Sequence, residues 1–318
     1  MSASPHIHRA KSTLTHVDKH SHLYLLPIIL LVIYFILSST VAIFSKRVTL
    51  LKLTNATQSQ KIVSYPYFSR SIEPYLSAES AIIMDKDSYA VLFEKNSQTR
   101  FSMASTTKVM TALTALDYYK DTDILTARRS EVEGVNVGLK IGERMYFNDA
   151  LYAMLLPSGN DVAYLFADNY PGGKAEFLKA MNEKARSLHL ENTHYEDPAG
   201  LNDDGNYTTA RDLARLGMAA SANPVLAKVM GSKFQFVTDV SKSHKFNLTN
   251  LNKLLGSYGV IGGKTGFTEG AEGVLMTIAD IKGRKYIVVV MRSEDRFLDT
   301  QQLLMPLQES VVEFTPGV

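Results

Sequence analysis

The chain contains no cysteine and no tryptophan. The first absence excludes disulfides, thiolate metal sites and a cysteine nucleophile together. An excess of either charge is also missing: 34 lysines and arginines stand against 32 aspartates and glutamates, a formal net charge of +2. That balance argues against a nucleic-acid binder driven by phosphate neutralisation. Histidine is scarce beyond the N-terminal leader. Five of the eight (His6, His8, His16, His20 and His22) lie in the leader, leaving His189, His194 and His244 for the rest. With no Gly-x-Ser-x-Gly either, a Ser-His-Asp hydrolase has little to be built from. In the leader, neither a carboxylate nor a cysteine completes a recognisable ligand set, so these histidines read as a solvated tail. No metal and no cofactor are expected.

Long apolar runs are confined to one place. From Leu23 to Phe44, "LYLLPIILLVIYFILSSTVAIF" carries no charge, and as a helix it would span about 33 Å against a hydrocarbon core of about 30 Å. It reads as a membrane anchor. The other reading is a cleaved signal peptide, with Thr40 and Ala42 ahead of a cut, and against it stand the length of the run and of its leader. Arg9, Lys11 and Lys19 precede the run while Lys46, Arg47 and Lys52 follow it, so the positive-inside count is level and does not orient the chain. The expected layout is a short tail at 1–22, a transmembrane anchor at 23–44, a tether at 45–72 and a folded domain at 73–318.

Within that domain, "SAIIMD" and "YAVLFEKN" flank a short polar break, as do "GVLMTIAD" and "KYIVVVMR". Both read as hairpins. Between them the sequence is mostly helical, from "STTKVMTALTALDYY" to "TARDLARLGMAA", and residues 294–314 carry a helical pattern again. Strands at both ends of a helical middle predict an α/β fold of the α+β type: a mixed sheet flanked by helices, with a helical subdomain inserted between its halves.

Candidate chemistry begins at "MASTTKVMTA". Val109, Ala112, Leu113, Leu116 and Tyr119 recur at helical spacing, and Ser105 lies one turn ahead of them. A separation of three puts Ser105 and Lys108 on neighbouring helix surface, close enough for an amine to reach a hydroxyl. To act as a base the lysine must be neutral, and lowering its pKa from about 10.4 to 7 or 8 takes about 4 kcal/mol of differential interaction, from burial or a second cation. The helix N-terminus offers free N–H groups for a developing oxyanion. The same residues also fit an N-cap and a solvated lysine, and Ser-x-x-Lys alone does not separate the two.

Two further stretches bear on the choice. "LLPSGNDVA" sets Ser158 and Asn160 in a polar break between helices, where either side chain also fits an N-cap. "GVIGGKTGFTEG" reads as a glycine-rich strand carrying Lys264, Thr265 and Gly266, the glycine permitting close backbone approach. Ser-x-x-Lys, Ser-x-Asn and Lys-Thr-Gly in this order form the set associated with penicillin-binding proteins and class A β-lactamases. From residue 79 onward, about three quarters of the chain resembles the low-molecular-mass D-alanyl-D-alanine carboxypeptidases of the penicillin-binding protein family. Besides the three motifs, "VGLKIGERMYFNDALYAMLLPSGNDVA" and "DPAGLNDDGNYTTARDLARL" carry the resemblance.

The resemblance implies a β-lactamase/penicillin-binding-protein-like, largely antiparallel sheet and a serine peptidase of cell-wall maturation. It implies that Ser105 attacks the carbonyl between two terminal D-alanines, that Lys108 takes its proton, and that water hydrolyses the resulting acyl-enzyme. Ser158 would relay the proton to the leaving amine and Asn160 would bond the substrate amide. Lys264 would add positive potential and Thr265 would contact the terminal carboxylate, with Gly266 beside it. The backbone N–H groups of Ser105 and Phe267 would form the oxyanion hole. The implied partners are a peptidoglycan stem peptide ending in D-Ala-D-Ala, β-lactams as covalent inhibitors, and a bacterial cell membrane crossed once, with the catalytic domain outside. One departure stands out: where some members carry an arginine before Asn-x-Leu-Leu to grip the carboxylate, "LNKLL" has Leu251. A class A β-lactamase fits less well, because Glu191 and Glu196 lack the Glu-x-x-x-Asn setting and the middle motif has glycine for aspartate. A D,D-endopeptidase of cross-links, and a wall-binding or β-lactam-sensing protein without turnover, stay open.

Overall fold

The computed structural model describes residues 21–56 and 64–315. They fall into two units, divided after Lys61. The first contains α1 (Ser21–Ala56). Its stretch Leu26–Arg47, with mean hydropathy 2.5 and no part buried, is long and apolar enough to cross a membrane. The helix continues past the expected end of the anchor at residue 44, so the first part of the expected tether is helical. The leader histidines His6, His8, His16 and His20 lie outside the described residues.

The second unit is ordered as β1 (Tyr65–Phe68), β2 (Ser80–Asp85), β3 (Val91–Lys95), β4 (Phe101–Ser102), a 3-10 turn (Ala104–Thr106) and α2 (Thr107–Leu116). The helical middle follows: β5 (Ile124–Thr126), β6 (Arg144–Tyr146), α3 (Phe147–Leu155), α4 (Asn160–Asn169), α5 (Gly173–Ser187), β7 (Tyr207–Thr208), α6 (Ala210–Ala222) and α7 (Pro224–Met230). Then come β8 (Phe234–Thr238), β9 (Lys245–Thr249), β10 (Val260–Thr268), β11 (Glu272–Ile281), β12 (Arg284–Ser293), α8 (Arg296–Glu309) and β13 (Val311–Phe314). A five-stranded sheet of order β10-β11-β12-β2-β3 forms the centre, and all four of its pairings are antiparallel.

The sheet is covered on both faces, which is why its inner strands read as unbroken apolar runs. Alternate side chains divide between two cores. Ile82 and Met84 of β2 join Ile287, Val289 and Met291 of β12 in one core, packed with α2 to α7. Ala81 and Ile83 join Val288 and Val290 in the other, beneath Leu303, Leu304 and Leu307 of α8. A slip of one residue in β2 would exchange the two sets, so the register is fixed by burial on both sides.

The chain ends differ from the expectation. Tyr65–Phe68 pairs with Val311–Phe314, so the last part of the expected tether belongs to the folded unit. The helical pattern at 294–314 resolves into α8, capped by Asp295, whose carboxylate accepts from Phe297 and Leu298 N–H, followed by a strand where the β-branched Val311 and Val312 begin.

Candidate active site

Ser105 sits in the 3-10 turn between β4 and α2. Its side chain caps neither the turn nor the helix, whose N-cap positions are Met103 and Thr106. Residues Thr107 to Ala115 of α2 are all buried, so the helix runs through the core and not along it, and the solvated-lysine reading of Lys108 is excluded. The Lys108 side chain is 0% exposed. Its Nζ lies 2.8 Å from Ser105 Oγ and donates to the Ala199 carbonyl at 2.7 Å. A neutral amine has two hydrogens and one lone pair, so it can donate to Ala199 and still accept the serine proton.

Burial first, and then the nearby Lys264 ammonium, hold the Lys108 amine well below the usual lysine range, against the opposing pull of Asp197 and Asp161. Lys264 is itself buried, and desolvation followed by the charge of Arg296 pushes it down to about 7. Its Nζ donates to Ser158 Oγ and to the Thr265 carbonyl, both at 2.9 Å.

Ser158 occupies a left-handed backbone conformation (φ 70°) between α3 and α4. The N-cap of α4 is Gly159, and no side chain caps it, so neither Ser158 nor Asn160 serves there as a cap. Asn160 Nδ2 donates to the Glu133 carbonyl at 2.5 Å. Its buried Oδ1 has no partner among the described residues, an acceptor left free for a ligand N–H.

The Lys-Thr-Gly stretch lies on β10, the outer strand of the sheet. Gly266 is pressed against the serine turn: a Cβ there would lie 3.0 Å from the Met103 carbonyl and 3.3 Å from the Ser105 nitrogen. Thr265 is buried at 5% exposure, whereas Phe267 is 64% exposed. Segments around residues 105, 158 and 264 therefore converge on one site. Leu251 donates its N–H to the Leu156 carbonyl, two residues before Ser158, and brings no cation to the rim.

Three residues that the motifs did not single out complete the arrangement. Asp197 accepts from four backbone N–H groups, those of Ala199, Gly200, Leu201 and Asn202, at 2.6 to 2.9 Å. This holds the Ala199 carbonyl toward Lys108. Asp161 does the same for the N–H groups of Val137, Gly138 and Leu139. Arg296 packs beside β10, its guanidinium 5.9 Å from the Phe267 ring centre, and its buried Nε has no partner among the described residues. Asp197 opens "DPAGLNDDGNYTTARDLARL" and Asp161 adjoins Asn160; Arg296 had no local signal.

A hydroxyl held by a desolvated lysine, at the edge of an antiparallel sheet backed by helices, defines a class of serine acyl-transfer proteins. The comparisons narrow the class. The chain belongs to the D-alanyl-D-alanine carboxypeptidase family of S11 peptidases, whose profile matches residues 68–295. It is 34% identical over 229 residues to D-alanyl-D-alanine carboxypeptidase DacF of Bacillus subtilis, covering 70% of this chain and 59% of that one. It is 32% identical over 255 residues to a D-alanyl-D-alanine endopeptidase of Pseudomonas aeruginosa, covering 77% and 82%. Among solved structures, the Streptomyces K15 DD-transpeptidase superposes with a TM-score of 0.70 at 29% identity, over 74% of this chain and 98% of its own. A D-alanyl-D-alanine carboxypeptidase of Mycobacterium tuberculosis gives 0.71 at 29%, over 79% and 97%. The chain thus spans 59% of the length of the Bacillus relative.

Proposed function

We propose that the protein removes the terminal D-alanine from peptidoglycan stem peptides through an acyl-enzyme on Ser105. The observation that carries this reading is the fully buried Lys108 amine 2.8 Å from the Ser105 hydroxyl. Lys108 accepts the hydroxyl proton as Ser105 Oγ bonds to the penultimate carbonyl carbon, and the oxyanion forms between the Ser105 and Phe267 N–H groups. Collapse breaks the C–N bond to D-alanine. The leaving amine takes its proton through Ser158, whose Oγ already accepts from Lys264. Water then attacks the ester, with Lys108 again as base, and frees Ser105.

The substrate lies extended along the free edge of β10, where main-chain groups can pair with it, and Asn160 Oδ1 accepts its amide N–H. Thr265 takes the terminal carboxylate. With leucine at 251, the cation for that carboxylate is Arg296, which also supports Lys264 in its lowered state. The helix Leu26–Arg47 is the uncleaved anchor, and the catalytic unit acts outside the bacterial cell membrane, where the wall is.

Full-length protein is tested with a fluorescent penicillin and with an N-acyl peptide ending in D-Ala-D-Ala. Labelling with release of D-alanine is expected. Labelling with turnover only of a cross-linked dimer peptide would replace this reading by the endopeptidase, and labelling without any turnover by a β-lactam sensor. The mass of membrane-extracted protein decides the anchor: loss of the first forty or so residues would make α1 a signal peptide.

A further inference from the structure

Asp203 is in none of the three motifs, yet it ties together the two segments that carry the oxyanion-hole donors. One of its carboxylate oxygens, Oδ1, accepts from Ser102 Oγ at 2.5 Å and from Thr268 Oγ1 at 2.6 Å. Ser102 is three residues before Ser105; Thr268 directly follows Phe267. Thr268 Oγ1 in turn accepts from Ala271 N–H at 3.0 Å, which fixes the turn after β10. A Cβ on Gly270 would lie 2.7 Å from the other carboxylate oxygen, so the turn closes tightly over Asp203.

We propose that Asp203 is a positioning residue that sets the separation of the Ser105 and Phe267 N–H groups. This rests on the acyl-transfer reading above. Gly266, which packs against the serine turn, has no side chain with which to fix a distance. The Asp203 bridge is a side-chain tie between the two segments, made of two short hydrogen bonds to one charged acceptor. Its charge argues for a positional role: an anion near a forming oxyanion opposes it electrostatically, so Asp203 serves through geometry. A carbonyl oxygen has the same two lone pairs, so asparagine can make both bonds without the charge.

Two donors held a little apart from the oxyanion lose force steeply, and a misplacement of about 1 Å costs about 100-fold in rate. Asp203→Ala in the full-length protein is expected to lower kcat for D-alanine release, and the rate of penicillin acylation, by about 100-fold, with KM changed by less than about 3-fold. Asp203→Asn is expected to recover rates within about 3-fold of the unmodified protein. Should Asp203→Ala fail to fold, Thr268→Val removes one arm of the bridge at nearly constant volume, and a drop of about 10-fold in kcat is expected. The proposal is overturned if Asp203→Ala, or Thr268→Val in its place, keeps kcat within about 3-fold, if KM alone moves, or if Asp203→Asn falls as far as Asp203→Ala. An unmodified protein that neither labels nor releases D-alanine would instead overturn the acyl-transfer reading itself.

Discussion

Lys264 Nζ lies 2.9 Å from Ser158 Oγ, and the same ammonium pushes Lys108 toward its neutral form. One cation therefore has two effects, a hydrogen bond to Ser158 and a field on Lys108. The second effect has a signature of its own. A like charge disfavours protonation of Lys108, so removing it raises that pKa. Lys264→Met should move the acidic limb of the pH profile for penicillin acylation to higher pH, separately from any loss of maximal rate. Stopped-flow acylation between pH 5 and 9 checks this; a limb that stays in place would assign the lowering of Lys108 to burial alone.

Lys108 lends itself to a volume-conserving test. Because its stem fills core space at 0% exposure, Lys108→Met keeps the packing while deleting the amine proposed as the base. Acylation and D-alanine release should both fall by about 1,000-fold or more. Thermal unfolding should remain cooperative, with a midpoint at or above that of the unmodified protein, because a buried amine has been replaced by an apolar group. Rates within 10-fold of the original would remove Lys108 from the proton transfer.

These residues differ in how readable they were. Ser105 and Lys108 are three apart, so helical geometry puts them within reach of each other, but only the other two motifs tipped the choice away from a cap and a solvated lysine. Ser158 and Lys264 are 106 apart, so only the order of the motifs and the family resemblance could join them. Asp203 and Arg296 are placed by where a loop and a helix start come to rest, a property of tertiary packing with no local pattern behind it. The sheet was legible because β2, β11 and β12 are apolar on both faces. By contrast Tyr65–Phe68 buries one residue of four outright and finds its partner at the other end of the chain. Helix α7 spans seven residues, too few for a periodic signal, though Asn223 and Pro224 mark its start with a side-chain cap and a proline at the first turn.

The Asp197 cradle should couple stability to acylation. Four N–H groups converge on this one buried carboxylate, and an unsatisfied buried donor costs about 1–3 kcal/mol. Part of the loop can reach water once opened, so Asp197→Ala should cost about 3–5 kcal/mol in total and slow acylation by at least about 10-fold as the Ala199 carbonyl leaves Lys108. Asp197→Asn should fall between, since its oxygen can still serve Ala199 and Gly200 while its NH₂ opposes the N–H groups of Leu201 and Asn202. Urea midpoints and labelling rates on the same samples test the order; an Asp197→Asn as damaging as Asp197→Ala would show that both oxygens are needed.

The two lysines also predict how folding stability depends on pH. In the unfolded chain each titrates near 10.4, whereas folding lowers Lys264 to about 7 and holds Lys108 well below its ordinary value. Between those limits the unfolded chain binds more protons than the folded one, so stability must rise with pH. Below about 7 the folded protein carries the full penalty of the buried Lys264 ammonium; as pH climbs toward 10.4 the unfolded chain loses its advantage. The buried phenols of Tyr195 and Tyr119, raised by desolvation, act in the opposite sense once unfolded tyrosines ionise near 10, so the clean window closes at about 9.5. Urea midpoints should therefore increase steadily from pH 7 to 9.5 for the unmodified protein. Lys264→Met should show a shallower rise and the Lys108→Met, Lys264→Met double variant a nearly flat one. Parallel slopes in all three would mean that neither amine is depressed by folding, and with that the neutral base on which the acyl-transfer chemistry depends would be lost.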